Sequence, residues 1–370
     1  MSVSLLGIGV VSALGCGVDS LRAGLRGEAQ PSLEQCSVEG PNGVVALDVA
    51  RAELTDLERF IPKRRQRRMD RLSKMALLAA HLAVEDGGLE LNEPERVGLA
   101  IGSGYGPLQT TFAFQDSFLE HGDPCASPTH FANSVHNAVA SQVSMSLGFA
   151  GPCCTVSCFG HSVAGALQAA ECWLREGLAD HVLFGAGDEH CPVRDYAVAG
   201  GAASSCQANG DEKVGDSPPV LGEGFVAFLL GRVEQQAKYA TLRDVGRIDD
   251  EAQLPDALRS LSAVLLSTSS DVDMSPARIR PNEAQQLHNY QVLYGRLPTA
   301  LAFDAALAAI SLKDETLYAT RSAASASLRP TGSAVLSTGS AQLPKGAQVG
   351  CLSRCMDDWS LLALASAVAP

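Results

Sequence analysis

This 370-residue sequence is poor in aromatic side chains, in basic charge and in paired cysteines. Aromatic residues make up 5% of the chain, whereas there are 35 glycines, so its layers must pack largely through small side chains. Lys and Arg number 28 against 41 Asp and Glu, a formal net charge of −13. That balance excludes the basic footprint of a typical nucleic-acid-binding domain. No apolar run at either end is long enough to span a bilayer.

The eleven cysteines are too few for a disulfide scaffold in a chain of this length. No CxxC pair occurs, and Cys351 and Cys355 have no accompanying histidine set, so we expect no metal site and no cofactor. Most cysteines are interpreted as small buried hydrophobic residues in a reducing environment. Residues 1–15 lack a basic leader and are typical of a first strand rather than a signal peptide, which favours a cytoplasmic protein without a membrane span.

Apolar runs that end in glycine alternate with helical patterns along the chain, which predicts an α/β fold with a mostly parallel sheet. The predicted strands of the first part are residues 3–12, 96–104, 181–189 and 224–233. Helices are predicted at 71–86 and 162–175, the second lined with small residues like a helix buried between layers. From about residue 240 the pattern restarts, with helices near 252–266 and at 299–312 and strands at 332–338, 347–353 and 360–368. This repetition predicts two related halves.

Several stretches together closely resemble the β-ketoacyl synthases, the condensing enzymes of fatty-acid and polyketide assembly. They are GIGVVSALGCGVDSLRAGLRG (7–27), RRMDRLSKMALLAAHLAVEDGGL (67–89), ERVGLAIGSGYGPL (95–108), FANSVHNAVASQVSMSLGFAGPCCTVS (131–157) and LGEGFVAFLLGRVEQ (221–235). The resemblance is continuous over roughly residues 3 to 235 and thin afterwards. The number and order of the matching stretches make it specific.

The resemblance implies a thiolase-type α/β fold, with two related βαβαβ-like halves in a five-layered αβαβα arrangement. The N-terminal half would be residues 1–235, and the C-terminal half 236–370. An obligate dimer is implied, in which the segment after a Gly-Pro pair joins its counterpart across the dimer axis. In that family, a cysteine at a strand-to-helix elbow takes the acyl group, two histidines assist decarboxylation, and a Gly-Phe-Gly-Gly loop helps to hold the oxyanion.

The residues of this machinery are replaced at each position where the resemblance locates them. In TVSCFGHSVAGAL (155–167), Gly160 occupies the nucleophile position, and Cys158 lies two residues too early. The first histidine is missing from 273–279, and Arg296 stands at the second. The glycine loop is replaced by SRCMDDWSLLALA (353–365), whose two aspartates would repel an oxyanion. The sequence therefore predicts a chain that does not perform the condensation.

We hypothesise a catalytically silent subunit, similar to the chain-length factor of type II polyketide synthases. It would form a heterodimer with an active ketosynthase and serve an acyl carrier protein whose phosphopantetheine holds the acyl chain. Asn133, Cys158 and Phe159 are the predicted tunnel or interface residues. No nucleic-acid partner is expected. The first alternative is an acyltransferase or condensing enzyme that uses a relocated Cys158, with His161 as its base. The second is a homodimeric acyl-binding scaffold.

A basic cluster, KRRQRRMDR (63–71), holds six cationic residues in an otherwise acidic chain. One interpretation is a docking site for the acidic carrier protein, formed by four arginines: Arg64, Arg65, Arg67 and Arg68. The other is a solvated helix start with structural salt bridges to acids such as Asp70. His190 and Cys191, after a glycine-rich strand, are a weak candidate for metal binding. GSGYG (102–106) lacks the Lys-Ser/Thr of a phosphate loop and is interpreted as a turn.

Overall fold

The computed structural model describes residues 2–40, 43–90, 92–197, 220–248, 253–268, 286–318, 340–355 and 358–366. Its strands are β1 Val3–Ser12, β2 Gly15–Cys16, β3 Leu33–Gly40, β4 Gly43–Ala50, β5 Val97–Gly102, β6 Cys153–Val156, β7 His181–Asp188, β8 Leu221–Gly222, β9 Gly224–Arg232, β10 Ala240–Ile248, β11 Ala263–Thr268, β12 Gln286–His288, β13 Thr316–Leu317, β14 Ala341–Gln342, β15 Gln348–Cys355 and β16 Asp358–Ser366. Its helices are α1 Gly17–Arg26, α2 Lys63–Gln66, α3 Arg71–Gly87, α4 Leu108–Leu119, α5 Pro128–Ser134, α6 Ala138–Leu147, α7 Ser162–Arg175, α8 including 192–197, α9 Leu254–Leu258 and α10 Ala300–Lys313.

The main sheet repeats one strand order in its two parts. The N-terminal strands lie in the order β6-β5-β7-β9-β1, and the C-terminal strands in the order β12-β11-β15-β16-β10. Numbered within its own part, each set reads 3-2-4-5-1. The two sets join where β1 pairs antiparallel with β10, with Val3 opposite Leu242. The protein therefore has the two related halves that the sequence predicts.

The prediction of a mostly parallel sheet needs a correction, because each half contains one reversed strand. β5 pairs in parallel with β6 and β7, and β11 pairs in parallel with β12 and β15. β9 runs antiparallel to both of its neighbours, and so does β16. The reason for β16 is local: only residues 356–357 separate it from β15, and so short a connection can join only antiparallel strands.

The N-terminal and C-terminal parts of the main sheet enclose a central layer formed by α7 and α10. Every residue of α10 from Ala300 to Leu312 is buried, including the polar residues Asp304 and Ser311, as expected for a helix covered by sheet on both sides. α3 and α6 cover the outer face of the N-terminal sheet, and α9 packs in the smaller core on the outer face of the C-terminal sheet. Gly9 lets β1 approach α3, since a Cβ there would lie 2.0 Å from the carbonyl oxygen of Ala79. This is the five-layered thiolase-type arrangement.

Most predicted elements are confirmed, including the helices at 71–86, 162–175 and 299–312 and the strand at 347–353. The strand predicted at 360–368 is confirmed as far as Ser366, and residues 367–368 lie outside the described residues. The helix predicted near 252–266 is wrong in its second part. Helix α9 covers only Leu254–Leu258, and Ala263–Thr268 forms β11, which pairs with β12 and β15. A short apolar run fits a buried strand as well as a buried helix, and neighbouring strands decide between them. The strand predicted at 332–338 lies outside the described residues.

Candidate functional site at the strand-to-helix elbow

The elbow joins β6 to α7 through a single 3-10 turn, Phe159–His161. Phe159 has a φ of +47°, a left-handed backbone conformation that costs a side-chain-bearing residue energy. The turn buries Gly160 and leaves Phe159 48% exposed. That ring meets Tyr105 edge to face, with the ring centroids 5.6 Å apart. A strained turn at the N-terminus of a central helix is the type of geometry that presents a nucleophile in other enzymes.

The buried Ser162 hydroxyl fixes this turn. Its Oγ accepts the backbone N–H of Cys158 at 2.8 Å. It also lies 2.7 Å from the carbonyl oxygen of Phe159 and 2.9 Å from that of Ser103, to which it can donate. Because Ser103 directly follows β5, the hydroxyl ties the elbow to the neighbouring strand.

Cys158 precedes the turn, and His161 is its last residue. The Cys158 side chain is exposed. The His161 Nδ1 atom is 2.8 Å from Oγ of Ser360, which is fully buried in β16. No group that orients His161 could be identified from the sequence, because the serine beside it is 199 residues away along the chain. The structure shows that this group is a serine of the C-terminal hairpin.

Asp188, at the end of β7, connects the elbow region to the central helix. Its Oδ1 accepts Ser103 Oγ–H at 2.9 Å and the backbone N–H groups of Gly104 and Tyr105 at 2.8 and 3.1 Å. Its Oδ2 accepts the hydroxyl of Thr299, just before α10, at 2.9 Å. Burial raises the pKa of Asp188, although these hydrogen bonds oppose that rise. GSGYG is therefore a strand-end turn held by a carboxyl group.

Glu223 is the centre of a second buried network. Its carboxylate receives the guanidinium of Arg71 and the backbone N–H groups of Ala52 at 3.0 Å and His190 at 3.1 Å. Hydrogen bonding to Glu223 raises the pKa of Arg71. The neighbouring Glu189 accepts backbone N–H groups of two further elements, and burial raises its pKa to about 8. Residues 68–71 (RMDR) and 221–224 (LGEG) are therefore joined in the N-terminal half by a buried hydrogen-bond network.

The remaining positions of the expected machinery hold other structures. Arg296 precedes α10, and its carbonyl oxygen accepts N–H groups of Gly222 and Arg194. Residues 353–355 and 358–365 lie in the antiparallel pair β15 and β16, with Arg354 opposite Trp359. Asp358 begins β16, whereas Asp357 and the segment 273–279 lie outside the described residues. A strand pair therefore stands where a glycine loop was considered.

His190 and Cys191, suggested as a weak candidate for metal binding, are both buried among protein side chains. The His190 Nε2 atom lies 2.7 Å from Oδ2 of Asp195, and both side chains are buried. The Cys191 thiol is buried, which raises its pKa. Within the described ranges, no group of three or more His, Cys, Asp or Glu side chains could hold a metal ion. No helix in that part of the chain is long and apolar enough to cross a membrane.

The arginines of the basic cluster differ in their surroundings. Arg71 is bound to Glu223, whereas the side chains considered for carrier docking are exposed: Arg64, Arg65, Arg67 and Arg68. Asp70 caps α3, where it accepts the backbone N–H of Ser73 at 2.7 Å, and no ion pair joins it to an arginine among the described residues. Asn133 donates its Nδ2–H to the carbonyl oxygen of Arg68 at 2.8 Å. This bond holds α5 against the basic cluster.

β6 is the last strand at its end of the sheet within the described residues. The chain segment that contains β6 carries exposed large hydrophobic side chains: Leu119, Phe131, Val135, Met145 and Phe159. Cys153, at the start of β6, is also exposed. We call residues 119–159 with this exposed set the β6 surface. Apolar surfaces of this kind mark sites of interaction.

The family model for the N-terminal domain of β-ketoacyl synthases matches residues 10–236. The chain belongs to the β-ketoacyl synthase family. It is 30% identical to 3-oxoacyl-[acyl-carrier-protein] synthase 2 of Staphylococcus aureus over 205 residues, which cover 50% of this chain and 49% of the relative. It is 29% identical to the enzyme of the same name from Vibrio cholerae over 190 residues, 48% of this chain and 45% of the relative. The chain thus spans about half the length of these relatives.

Two solved structures show that the β-ketoacyl synthase fold extends beyond the matched region. One is the ishigamide ketosynthase/chain length factor, with a TM-score of 0.75, 17% identity and 99% of both chains covered. The other is a β-ketoacyl synthase from Burkholderia phymatum, with a TM-score of 0.74, 17% identity and the same coverage. At this level of identity, the likeness establishes the fold of both halves. The assignment of Gly160 to the nucleophile position stays a prediction from the sequence.

Proposed function

We propose that the chain is a catalytically silent ketosynthase-like subunit, similar to a chain-length factor. It pairs with an active ketosynthase in polyketide or specialised fatty-acid biosynthesis. There it helps to enclose the acyl chain that a carrier protein delivers on its phosphopantetheine arm.

The observation that carries the proposal is the composition of the elbow. Gly160, in the turn, has no side chain to acylate, and its neighbour Phe159 projects an aromatic ring from the strained position. Covalent condensation requires a thiolate there, so the chain on its own lacks the acyl acceptor. An exposed ring packed edge to face on Tyr105 suits the wall of an acyl tunnel.

The β6 surface supports the pairing. In the part of the chain that the structure describes, β6 pairs with β5 and with no strand on its other side, and the same segment of the chain carries exposed apolar side chains such as Phe131 and Met145. Open edges of this kind invite strand addition unless they are covered. A subunit of the same fold, with its own β6 equivalent, provides a complementary edge. Pairing with itself alone would yield two sites without the expected thiol.

Co-expression with a type II ketosynthase that retains its cysteine tests the pairing. We expect one heterodimer peak in gel filtration and a 1:1 complex by native mass spectrometry. Met145→Glu places a charge on the β6 surface and should abolish the complex. Val44→Glu changes a residue that is 72% exposed on the distant β3–β4 hairpin and should leave the complex intact. A stable homodimer that never exchanges with the ketosynthase would favour the scaffold alternative.

Catalytic silence is tested in the assembled complex. Replacing the cysteine of the ketosynthase should abolish acyl loading and product formation. Cys158→Ala in this chain should leave both within about twofold of the wild type. The opposite result, loss of product with Cys158→Ala, would show that this chain supplies a nucleophile.

The enzyme alternative has one observation in its favour. The Cys158 thiol is exposed near the start of α7, and His161 is held by Ser360 close to it. If this pair were catalytic, iodoacetamide would modify Cys158 much faster than the exposed Cys125, and modification would abolish an acyl transfer. Equal rates for the two exposed thiols would leave the silent subunit as the better explanation.

Docking of the carrier protein on the basic cluster is a separate proposal. The four exposed arginines beside α5 offer positive charge in a chain whose net charge is −13. Arg64→Glu combined with Arg65→Glu should weaken carrier binding at least tenfold at low salt. Arg259→Glu, in a remote exposed pair with Asp256, is the matched control. Unchanged binding of the double variant would show that the cluster is only a solvated helix start.

A further inference from the structure

Three serines form a row across the C-terminal part of the main sheet. Ser267 in β11 lies opposite Ser353 in β15, and Ser353 lies opposite Ser360 in β16. Each of the three is at most 1% exposed. We call these residues the serine row.

The serine row faces the central layer. Side chains two positions apart on a strand lie on the same face of the sheet. The residues two positions from the three serines belong to the core that the sheet shares with α7 and α10: Leu265, Cys351 and Leu362. Since neighbouring strands lie about 4.8 Å apart, adjacent hydroxyls of the row can meet directly or through one bridging water.

One end of the serine row lies at the elbow. The Oγ atom of Ser360 is 2.8 Å from Nδ1 of His161, the last residue of the elbow turn. A hydroxyl can either donate to an imidazole nitrogen or accept its N–H. The position of the imidazole proton therefore depends on what the Ser360 hydroxyl meets on its other side.

The other end of the serine row lies at Asp304, a fully buried residue of α10. The Tyr294 hydroxyl donates to its Oδ1 at 2.7 Å. Burial raises the pKa of Asp304 to about 6, and hydrogen bonding from Tyr294 and Ser267 opposes that rise. Burial also raises the pKa of the nearby Tyr290 and Cys351, which stay uncharged near neutral pH. Asp304 is therefore a carboxylate above about pH 6.

Several oxygens between these two ends have no hydrogen-bond partner at normal geometry. They are Oγ of Ser267, Oγ of Ser353 and Oδ2 of Asp304. Buried polar atoms are costly when they stay unsatisfied. A serine hydroxyl rotates freely, and it donates one hydrogen bond while accepting others. The three oxygens can therefore satisfy one another in a single chain that continues to Ser360.

The direction of such a chain is set at Asp304, because a carboxylate only accepts hydrogen bonds. Ser267 then donates to Asp304 and accepts from Ser353. Ser353 in turn accepts from Ser360. The Ser360 oxygen is left to accept an N–H, and its neighbour is Nδ1 of His161. The proton of the neutral imidazole consequently lies on Nδ1, and Nε2 carries the lone pair.

We infer that Asp304 is a positioning residue for His161, acting through the serine row, and that it fixes the imidazole proton on Nδ1. In this tautomer His161 takes up a proton at Nε2, and the buried carboxylate stabilises the resulting charge. The inference goes beyond the proposed function, because it needs neither a thiol at position 160 nor a partner subunit.

Nitrogen NMR of the full chain, labelled with ¹⁵N-histidine, tests the inference. The His161 signals are assigned by their loss in His161→Gln, and the spectra are recorded above the titration of His161. In the wild type, we expect the chemical shift of a protonated nitrogen at Nδ1 and of an unprotonated one at Nε2. Asp304→Asn keeps the shape of the side chain, but its amide can donate into the serine row. The two shifts should therefore exchange.

Two serine variants separate the serine row from general effects of burial. Ser353→Ala interrupts the row and should give a mixture of both tautomers. Ser311→Ala is the matched control, because it removes another buried hydroxyl without a partner, two turns along α10 from Asp304. This control should keep the wild-type shifts.

Two results would overturn the inference. In the first, the wild type carries its imidazole proton on Nε2. In the second, Ser353→Ala keeps the wild-type shifts, which would mean that Ser360 orients His161 without the rest of the row. Ser353→Ala loses only a hydroxyl that has no partner, so it should keep the circular dichroism spectrum of the wild type. It therefore decides the question even if Asp304→Asn fails to fold.

Discussion

Replacing Glu223 by Gln should sharply destabilise the N-terminal half. The Glu223 side chain is fully buried and receives Arg71, two backbone N–H groups and, at 3.6 Å, Arg51 Nε. Glutamine keeps the size of the side chain but removes its charge. The N–H groups of its amide would face a group that is itself a donor, either the Arg71 guanidinium or a backbone N–H. The Arg71 guanidinium would then be left without its counter-charge.

The expected loss of unfolding free energy follows from the burial of Glu223 and Arg71. Removing one member of a buried ion pair costs about 3–5 kcal/mol. Arg71 remains 23% exposed and can recover part of its hydration, so we expect a loss of about 2–4 kcal/mol. Glu85→Gln is the matched control, because it breaks an ion pair with Arg59 whose side chains are both about half exposed. Exposed pairs contribute under about 1 kcal/mol.

Urea denaturation followed by circular dichroism, at one fixed protein concentration, measures both losses. A fixed concentration matters because association shifts apparent stability. The reasoning would be refuted if Glu223→Gln lost less than about 1 kcal/mol, or no more than Glu85→Gln. Either result would mean that the network does not hold the two stretches together.

Three further predictions concern strain, pH and packing. Phe159→Gly should be more stable than Phe159→Ala by about 1 kcal/mol, because both variants lack the ring and only glycine adopts a φ of +47° freely. Equal midpoints of urea denaturation for the two variants would contradict this. Burial raises the pKa of Glu189 from 4.5 to about 8, so the native state keeps a proton that the unfolded chain releases. Stability should therefore fall between pH 4.5 and 8, by up to about 1.4 kcal/mol per unit, and Glu189→Gln should flatten the profile measured by denaturation at each pH. Gly9→Ala should lower the stability by about 3 kcal/mol or more, because its Cβ would overlap the backbone of Ala79. Gly246→Ala should be neutral in thermal melting, because a Cβ there would have no atom within 4 Å. Similar losses for the two variants would argue against close packing at Gly9.

The sequence predicted well those features that depend on local pattern. The small residues along one side of α7 indicated a helix that packs closely between layers, and a helical pattern indicated a helix at 299–312. The pattern could not distinguish helix from strand at 263–268, where four of the six residues are apolar and β11 gains its partners from distant β12 and β15. Hydrogen-bonding partners of that kind are not encoded in a short window.

In the candidate site, too, some features follow from the sequence and others only from the tertiary structure. The amino-acid sequence alone determines that Gly160 has no side chain and that the thiol of Cys158 lies two residues before it. Folding changes positions and not the atoms that a residue contains. Only the tertiary structure decided that His161 meets Ser360, that Asp188 joins β5 to α10, and that the serine row lies between His161 and Asp304. These contacts join residues far apart in the chain, and they form because the two parts of the main sheet pack against one central layer.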